Sequence, residues 1–136
     1  MKNPESLLQT LKNQYETCVR YLEIQKEKKE ALISGDIRRL DEIVLREQSY
    51  IMKMESYEMR REKLLMQEGL AGVTISEIIS NHLNDKYIEA YRDVFAKLND
   101  IIFELKKINH LNQRLLRARL SVIYRMDKIL SYGSNK

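Results

Sequence analysis

The sequence predicts an all-α protein, an antiparallel helical bundle or long helical hairpin with an extended C-terminal amphipathic helix. Apolar residues recur at alternating spacings of three and four along most of its 136 residues. Residues that break helices are scarce: Gly stands only at positions 35, 69, 72 and 133, and Pro only at position 4. A composition of 43% hydrophobic and 32% charged residues excludes collagen-like, linker and disordered chains. We expect a single domain over residues 1–136.

The first two helices are predicted over residues 4–33 and 36–67. Gly35 breaks the helical pattern between them, and Asp36 is a residue type that caps a helix N-terminus. The seam of the first helix turns polar toward its end and consists of Leu8, Leu11, Tyr15, Cys18, Leu22, Gln25, Lys29 and Leu32. The stripe of the second helix that we expect to face the core consists of Ile37, Leu40, Val44, Ile51, Met54 and Leu65.

Two more helices are predicted over residues 74–84 and 86–132. Thr74 and Glu77 form a capping box, which marks a helix start. Weak helix formers between residues 80 and 85 predict a break, and Gly133 is the expected C-terminal stop. The seam of the last helix keeps the spacing of three and four through Tyr91, Val94, Leu98, Ile101, Leu105, Ile108, Asn112, Leu115, Arg119, Val122, Met126 and Ile129.

The last predicted helix is longer than its partners. At a rise of ~1.5 Å per residue it would measure ~70 Å, against ~45 Å for each of the first two. We therefore expect its part from about Asn109 onward to extend past the bundle while still carrying large apolar side chains. A second copy of the chain, a kink that folds the end back, or a partner helix could cover this surface.

Residue patterns for catalysis or cofactor binding are missing from the sequence. Neither His82 nor His110 follows a Glu by three residues, as a di-iron bundle requires, and no HExxH or glycine-rich phosphate loop occurs. We therefore predict that the protein is not an enzyme and has no catalytic residues, cofactor or metal. His110 is interpreted as an ordinary surface histidine rather than a phosphorylated one.

The single cysteine, Cys18, cannot form an internal disulfide, which favours a reducing, cytoplasmic location. On the apolar seam of the first helix it is expected to be buried and unreactive. The sequence has no run of 18 apolar residues, and its N-terminus lacks the features of a signal peptide. We therefore expect no direct insertion into a membrane.

Positive charge is concentrated in the last helix. Residues 106–128 contain seven Lys or Arg and one acid, a formal charge of +6, whereas the whole chain carries +4. Nucleic acid is disfavoured because aromatic residues are few and the basic residues are interleaved with an apolar stripe. That pattern is better suited to an acidic amphipathic helix. On the same seam, Asn112 is either a buried amide that fixes helix register or an amide that contacts a bound backbone.

Three segments together resemble the FlgN-type flagellar export chaperones. They are KKEALISGDIRRLDEIVLREQ at 28–48, LLMQEGLAGVTISEII at 64–79 and LKKINHLNQRLLRARLSVI at 105–123. The resemblance rests on the order of an "ALI.GD" turn, a Glu-Gln pair, a "TISE" helix start and an "N..N..LL" segment. It implies a cytoplasmic chaperone of flagellar type III export. Such a chaperone binds the C-terminal helical segments of hook–filament junction proteins and delivers them to the membrane-bound export gate.

The resemblance also implies where the client binds. In the family the C-terminal amphipathic region holds the client, and the residues at that place in this chain are Asn112, Leu115, Leu116, Leu120, Ile123 and Met126. We expect neighbouring arginines to contact acidic residues of the client. A tyrosine that docks at the gate corresponds to Tyr124. The alternatives are another helical export protein, such as an ATPase-regulating stalk or filament-cap chaperone, and a structural homodimer; a weak homodimer is also compatible with chaperone function.

Overall fold

The computed structural model describes residues 1–134, with side chains through residue 129, and contains four α-helices and no strand in that range. They are α1 (Pro4–Ser34), α2 (Ile37–Gln67), α3 (Ile75–Asn81) and α4 (Asp85–Ser134). The all-α prediction is confirmed. None of these helices, over the residues described, is both long and apolar enough to cross a membrane.

The helix boundaries follow the capping residues. Gly35 ends α1 in the left-handed conformation, with φ at 72°. The Asp36 carboxylate accepts a hydrogen bond from the Arg39 amide at 3.1 Å, and the Thr74 hydroxyl accepts one from the Glu77 amide at 3.2 Å. The predicted stop at Gly133 is wrong, because α4 continues to Ser134, the last residue described.

Helix α1 lies between α2 and α4. Helix α2 runs antiparallel to α1: Gln14 bonds to Glu58, and Gln25, eleven residues further along α1, bonds to Glu47, eleven residues earlier in α2. Helix α4 instead runs parallel to α1. Residues of α4 bond to residues of α1 that stand 87 positions earlier in the chain. This offset is the same for Tyr91 with Pro4 near the start of α1 and for Arg119 with Leu32 near its end. Within residues 1–134, no Cα atom of α2 comes within 8 Å of α4.

An apolar cluster joins all four helices at the end of the molecule where α1 and α4 begin. We call this end the base. Its buried members are Leu7, Leu8, Leu11, Leu65, Ile78, Tyr91 and Val94. The buried Tyr91 ring keeps its hydroxyl satisfied by donating to the Pro4 carbonyl at 2.6 Å. Burial is also the main reason why the pKa of Tyr91 lies far above its ordinary value.

The upper half of the molecule has a smaller apolar cluster. It is formed by Ile24 and Ala31 of α1 with Ile43 of α2, and Leu40 and Tyr50 pack against it. Helix α4 contributes no buried residue to this cluster. The apolar contacts that join α4 to the other helices are therefore strongest at the base.

The predicted core stripe of α2 is partly wrong. Ile37, Val44 and Ile51 are exposed, whereas Ile43 and Glu47 are buried. Helix α2 packs against α1 without touching the backbone of α4, so only a narrow stripe is covered. Glu47 does not stand out in the sequence as a core residue, because a carboxylate is rarely buried unless partners on another helix satisfy it.

Candidate functional site

The distal part of α4 extends beyond the rest of the molecule, but it starts later than predicted. Since α1 ends at Ser34, the constant offset places that end beside residue 121 of α4. Residues 122–134 therefore form an overhang of ~20 Å. The prediction that the overhang starts at Asn109 is wrong. Helix α4 begins beside the first turn of α1 and then runs along the whole length of α1.

Four of the six predicted client-binding residues are exposed. Leu116 and Leu120 retain 42% and 55% of their accessible surface, and Ile123 and Met126 retain 57% and 59%. Val122 and Ile129 add further exposed apolar surface to the overhang. Leu115 is half-buried. The structure thus brings a group of large apolar side chains together at the free end of α4.

Asn112 lies inside the molecule. Its Nδ2 donates to the Gln25 carbonyl at 2.9 Å and to Gln25 Oε1 at 3.2 Å. Gln25 Nε2 in turn donates to Glu47 at 2.8 Å, and Lys28 Nζ lies 3.0 Å from the same carboxylate. These residues form a polar layer across α4, α1 and α2. In this arrangement Asn112 is not accessible to a bound client, and its geometry is that of a residue that fixes register.

The charges within the polar layer partly compensate each other. Lys28 neutralises Glu47, which has only 10% of its side chain exposed. Burial, and then the nearby Glu47 carboxylate, raise the pKa of Tyr21, so this hydroxyl stays protonated. Among the described residues, one buried side-chain atom has no hydrogen-bond partner, the Oδ1 atom of Asn112.

Arg119 attaches α4 to the C-terminus of α1. Its Nε donates to the Leu32 carbonyl at 2.7 Å and its Nη2 donates to the Ile33 carbonyl at 2.6 Å. These carbonyls belong to the last turn of α1, where a cation is favoured by the helix dipole. A Cβ atom at Gly35 would lie 2.7 Å from Arg119 Nη1, so glycine also leaves room for the guanidinium.

The role expected of Arg119 as a contact for acidic client residues is therefore not the one that the structure supports. Its guanidinium already donates to the two α1 carbonyls. The sequence signal that could have revealed this is the placement of an arginine on a seam that is otherwise apolar except for Asn112. Arg117 and Arg125 of the same helix are exposed, and Arg125 makes only long hydrogen bonds of 3.4 Å to Ser121.

A concave surface lies between α2 and α4, with α1 as its floor. This cleft has a volume of about 470 Å³. Cys18 lies on its floor, and Glu58 and Arg61 line the α2 side. Hydrogen bonding to Arg61 lowers the pKa of Glu58, and burial raises the pKa of the Cys18 thiol. The cleft wall on α4 includes Ile102.

The histidines show no arrangement suited to a metal. Within residues 1–134, no cluster of three or more His, Cys, Asp or Glu side chains could hold a metal ion. His110 is exposed on α4. His82 ends α3, and its carbonyl accepts a hydrogen bond of 3.4 Å from the N-terminal amine of Met1.

Comparison with known protein families gives a match over the whole chain. The family model described as FlgN protein matches residues 1–136, which is the whole chain. No curated protein and no solved structure gives a significant match. The match covers both the base and the distal part of α4.

Proposed function

Because the chain belongs to the FlgN family of flagellar export chaperones, we propose that it binds the C-terminal helical segments of hook–filament junction proteins. The observation that carries this proposal is the exposed apolar surface at the free end of α4. A chaperone of this kind keeps its clients apart by covering helices that would otherwise associate, and it works by binding, without catalysis. It acts in the cytoplasm before export.

The proposed client surface consists of Leu115, Leu116, Leu120, Ile123 and Met126. Its four exposed members leave large apolar areas in contact with water in the free protein. Covering one such side chain contributes ~1.5–3 kcal/mol when burial is complete. Part of that energy is lost to the immobilisation of side chains on binding. This leaves an affinity that permits release at the export apparatus.

Electrostatic contacts add orientation. Arg117, Arg125 and Lys128 are exposed around the apolar surface. We expect acidic residues on the flanks of the client helix to lie next to them. Rim charges of this type mainly steer association and select the partner, and they contribute less to affinity than the apolar contacts.

Tyr124 is the residue that we propose for docking at the export gate. It retains 66% of its accessible surface, and Lys128 Nζ lies 6.0 Å from the centre of its ring. An exposed tyrosine combines a large apolar area with a hydroxyl that can bond at an interface. This contact would join the loaded chaperone to the cytoplasmic domain of the gate.

The test is a titration with the C-terminal helices of a hook–filament junction protein from the same bacterium, followed by calorimetry. We expect a one-to-one complex. The double substitution Leu116→Asp and Leu120→Asp should weaken binding at least ~100-fold, because it removes two apolar contacts and introduces charge. The melting temperature should stay close to that of the parent, since both leucines are exposed.

The matched control carries Met52→Asp and Met59→Asp on the outer face of α2, where both side chains are about 70% exposed. Equal loss of binding in the control would show that the apolar surface of α4 is not specific. A parallel loss of melting temperature and binding in the Leu116 and Leu120 variant would place these leucines in the core. A tight dimer that persists in the presence of the client would support the structural homodimer instead.

A further inference from the structure

The three long helices leave a place for a fourth. Helices α2 and α4 flank α1 without approaching each other, and the cleft between them is open to solvent. Residues 11–18 of α1 form the floor of the cleft. Residues 54–61 of α2 and residues 98–105 of α4 lie beside this part of α1 and form the two walls. Ile75 of α3 lines the cleft as well, and it packs against the base cluster. A four-helix bundle would fill this position with a helix.

Each wall of the cleft continues as a row of apolar residues beyond the residues that line the cleft. On α2, Ile51 precedes the cleft residue Met54 by three positions, and Val44 precedes Ile51 by seven, so these residues share one side of the helix. Ile51 and Val44 keep 38% and 42% of their surface exposed. Helix α2 therefore presents an uncovered apolar wall toward the same space.

The wall on α4 leads directly to the proposed client surface. From the cleft residue Ile102, steps of seven reach Asn109, Leu116 and Ile123. These residues lie on one side of α4 over a length of ~32 Å. Ile102 is 40% exposed, comparable to Leu116 at 42%. One continuous helix could contact both the cleft and the overhang.

The two rims carry opposite charge. On α2, Glu55 lines the cleft. Asp41 lies fourteen residues before Glu55 and Glu62 lies seven residues after it, so all three share one side of the helix, and Asp41 and Glu62 are exposed. On α4, the exposed Lys106 follows Ile102 by four residues, and the exposed Arg117 follows Lys106 by eleven. An acidic rim thus faces a basic rim across a floor of Leu11, Gln14 and Cys18.

We infer that the client helix continues from the proposed client surface into the cleft between α2 and α4 and packs there as the fourth helix of the bundle. This inference rests on the proposed chaperone function. The occupant is an amphipathic helix whose apolar face lies on α1, whose basic flank faces α2 and whose acidic flank faces α4. Such a helix matches the opposite charges of the two rims.

Footprinting with single cysteines tests where the client lies. In a Cys18→Ala background, Ile51→Cys and Ile102→Cys place a thiol on each wall of the cleft. The matched controls are Met52→Cys and Phe103→Cys, one residue further along each helix and 69% and 62% exposed in the parent. Addition of the junction-protein helices should slow N-ethylmaleimide labelling of the two wall thiols at least tenfold. Labelling of the two control thiols should change less than twofold.

Affinity provides the second measurement. The pair Ile51→Glu and Ile102→Glu should weaken client binding at least tenfold, whereas Met52→Glu with Phe103→Glu should leave it within twofold. Thermal unfolding checks that each glutamate variant folds. If a glutamate variant does not fold, the cysteine labelling still tests the inference. Equal effects in wall and control variants would overturn the inference.

The outcomes separate this inference from the proposed function. If the parent does not bind the junction-protein helices, the proposed function fails. If the parent binds and the Leu116 and Leu120 variant does not, but the wall thiols remain unprotected, the client uses the proposed client surface alone and the inference fails. Slower wall labelling at higher chaperone concentration without client would assign the cleft to a second copy, which also overturns it.

Discussion

The base and the upper half of the molecule hold α4 in different ways. At the base, apolar side chains from all four helices form one buried cluster. In the upper half, a buried hydrogen bond of Asn112 and partly buried or exposed hydrogen bonds of Arg119 attach α4 to α1. Apolar burial supplies most of the stability of a fold, whereas hydrogen bonds contribute less net energy but require defined geometry. The base therefore stabilises the protein, and the upper half sets the position of the proposed client surface.

The difference also explains where apolar surface remains available. The base uses its leucines, isoleucines and Tyr91 for internal packing. Beyond residue 121, α4 has no α1 beside it, so its large apolar residues from Val122 to Ile129 stay exposed. The base cluster that stabilises the protein and the proposed client surface thus lie at opposite ends of α4, and substitutions should separate stability from binding at that surface.

The largest effect on stability is expected at the base. Leu65→Ala removes a side chain that is 1% exposed in the four-helix cluster. We expect the free energy of unfolding to fall by ~2–5 kcal/mol, because the substitution loses apolar contacts and leaves a cavity. Urea unfolding measures this change. Client affinity at a temperature where the variant stays folded should be unchanged, and a large loss of affinity would show that the two ends are coupled.

A smaller effect is expected for the polar layer. Gln25→Ala removes the side chain that links Asn112 to Glu47. We expect a loss of ~1–3 kcal/mol, since buried polar groups on α2 and α4 lose a partner. Hydrogen exchange should accelerate in α4 near Asn112 more than near Tyr91. Uniform acceleration along α4 would contradict separate attachment of the two halves.

The smallest of the three effects is expected at the end of α1. Arg119→Gln shortens the side chain and removes the cation that bonds to the Leu32 and Ile33 carbonyls. A loss of ~1 kcal/mol is expected from these exposed or partly buried bonds. Arg117→Gln is the matched control on the same helix and should change stability by less than ~0.5 kcal/mol. Identical unfolding curves for the two variants would rule out a stabilising role of Arg119.

Part of the architecture could be predicted from local patterns. The capping roles of Asp36 and Thr74 were predictable because a cap depends on residues three positions apart. The seam of α4 was predictable through Leu115, as its buried or half-buried residues follow the helical period. The stripe of α2 was not, because Glu47 is buried only with the help of Gln25 and Lys28 on another helix.

The candidate site was predictable in type but not in extent. The spacing and charge of the last helix indicated an uncovered amphipathic end, and the resemblance to the FlgN family assigned residues to it. The first residue of the overhang depends on the register between α4 and α1. This register cannot be predicted from local sequence patterns, because it is set by contacts between residues 87 positions apart. The register excludes Asn112 from the accessible surface and gives Arg119 a partner at the end of α1.

By itself, the sequence determined the helices, their caps and the concentration of positive charge in α4, because these depend on neighbours along the chain. Only the tertiary structure decided that α4 runs parallel to α1 at an offset of 87 residues, that a cleft remains between α2 and α4, and that the overhang starts near residue 122. The physical reason is that these features depend on how buried side chains from distant segments fit together. Burial of the base cluster and the hydrogen bonds of the polar layer select one register from several that the same helical period allows.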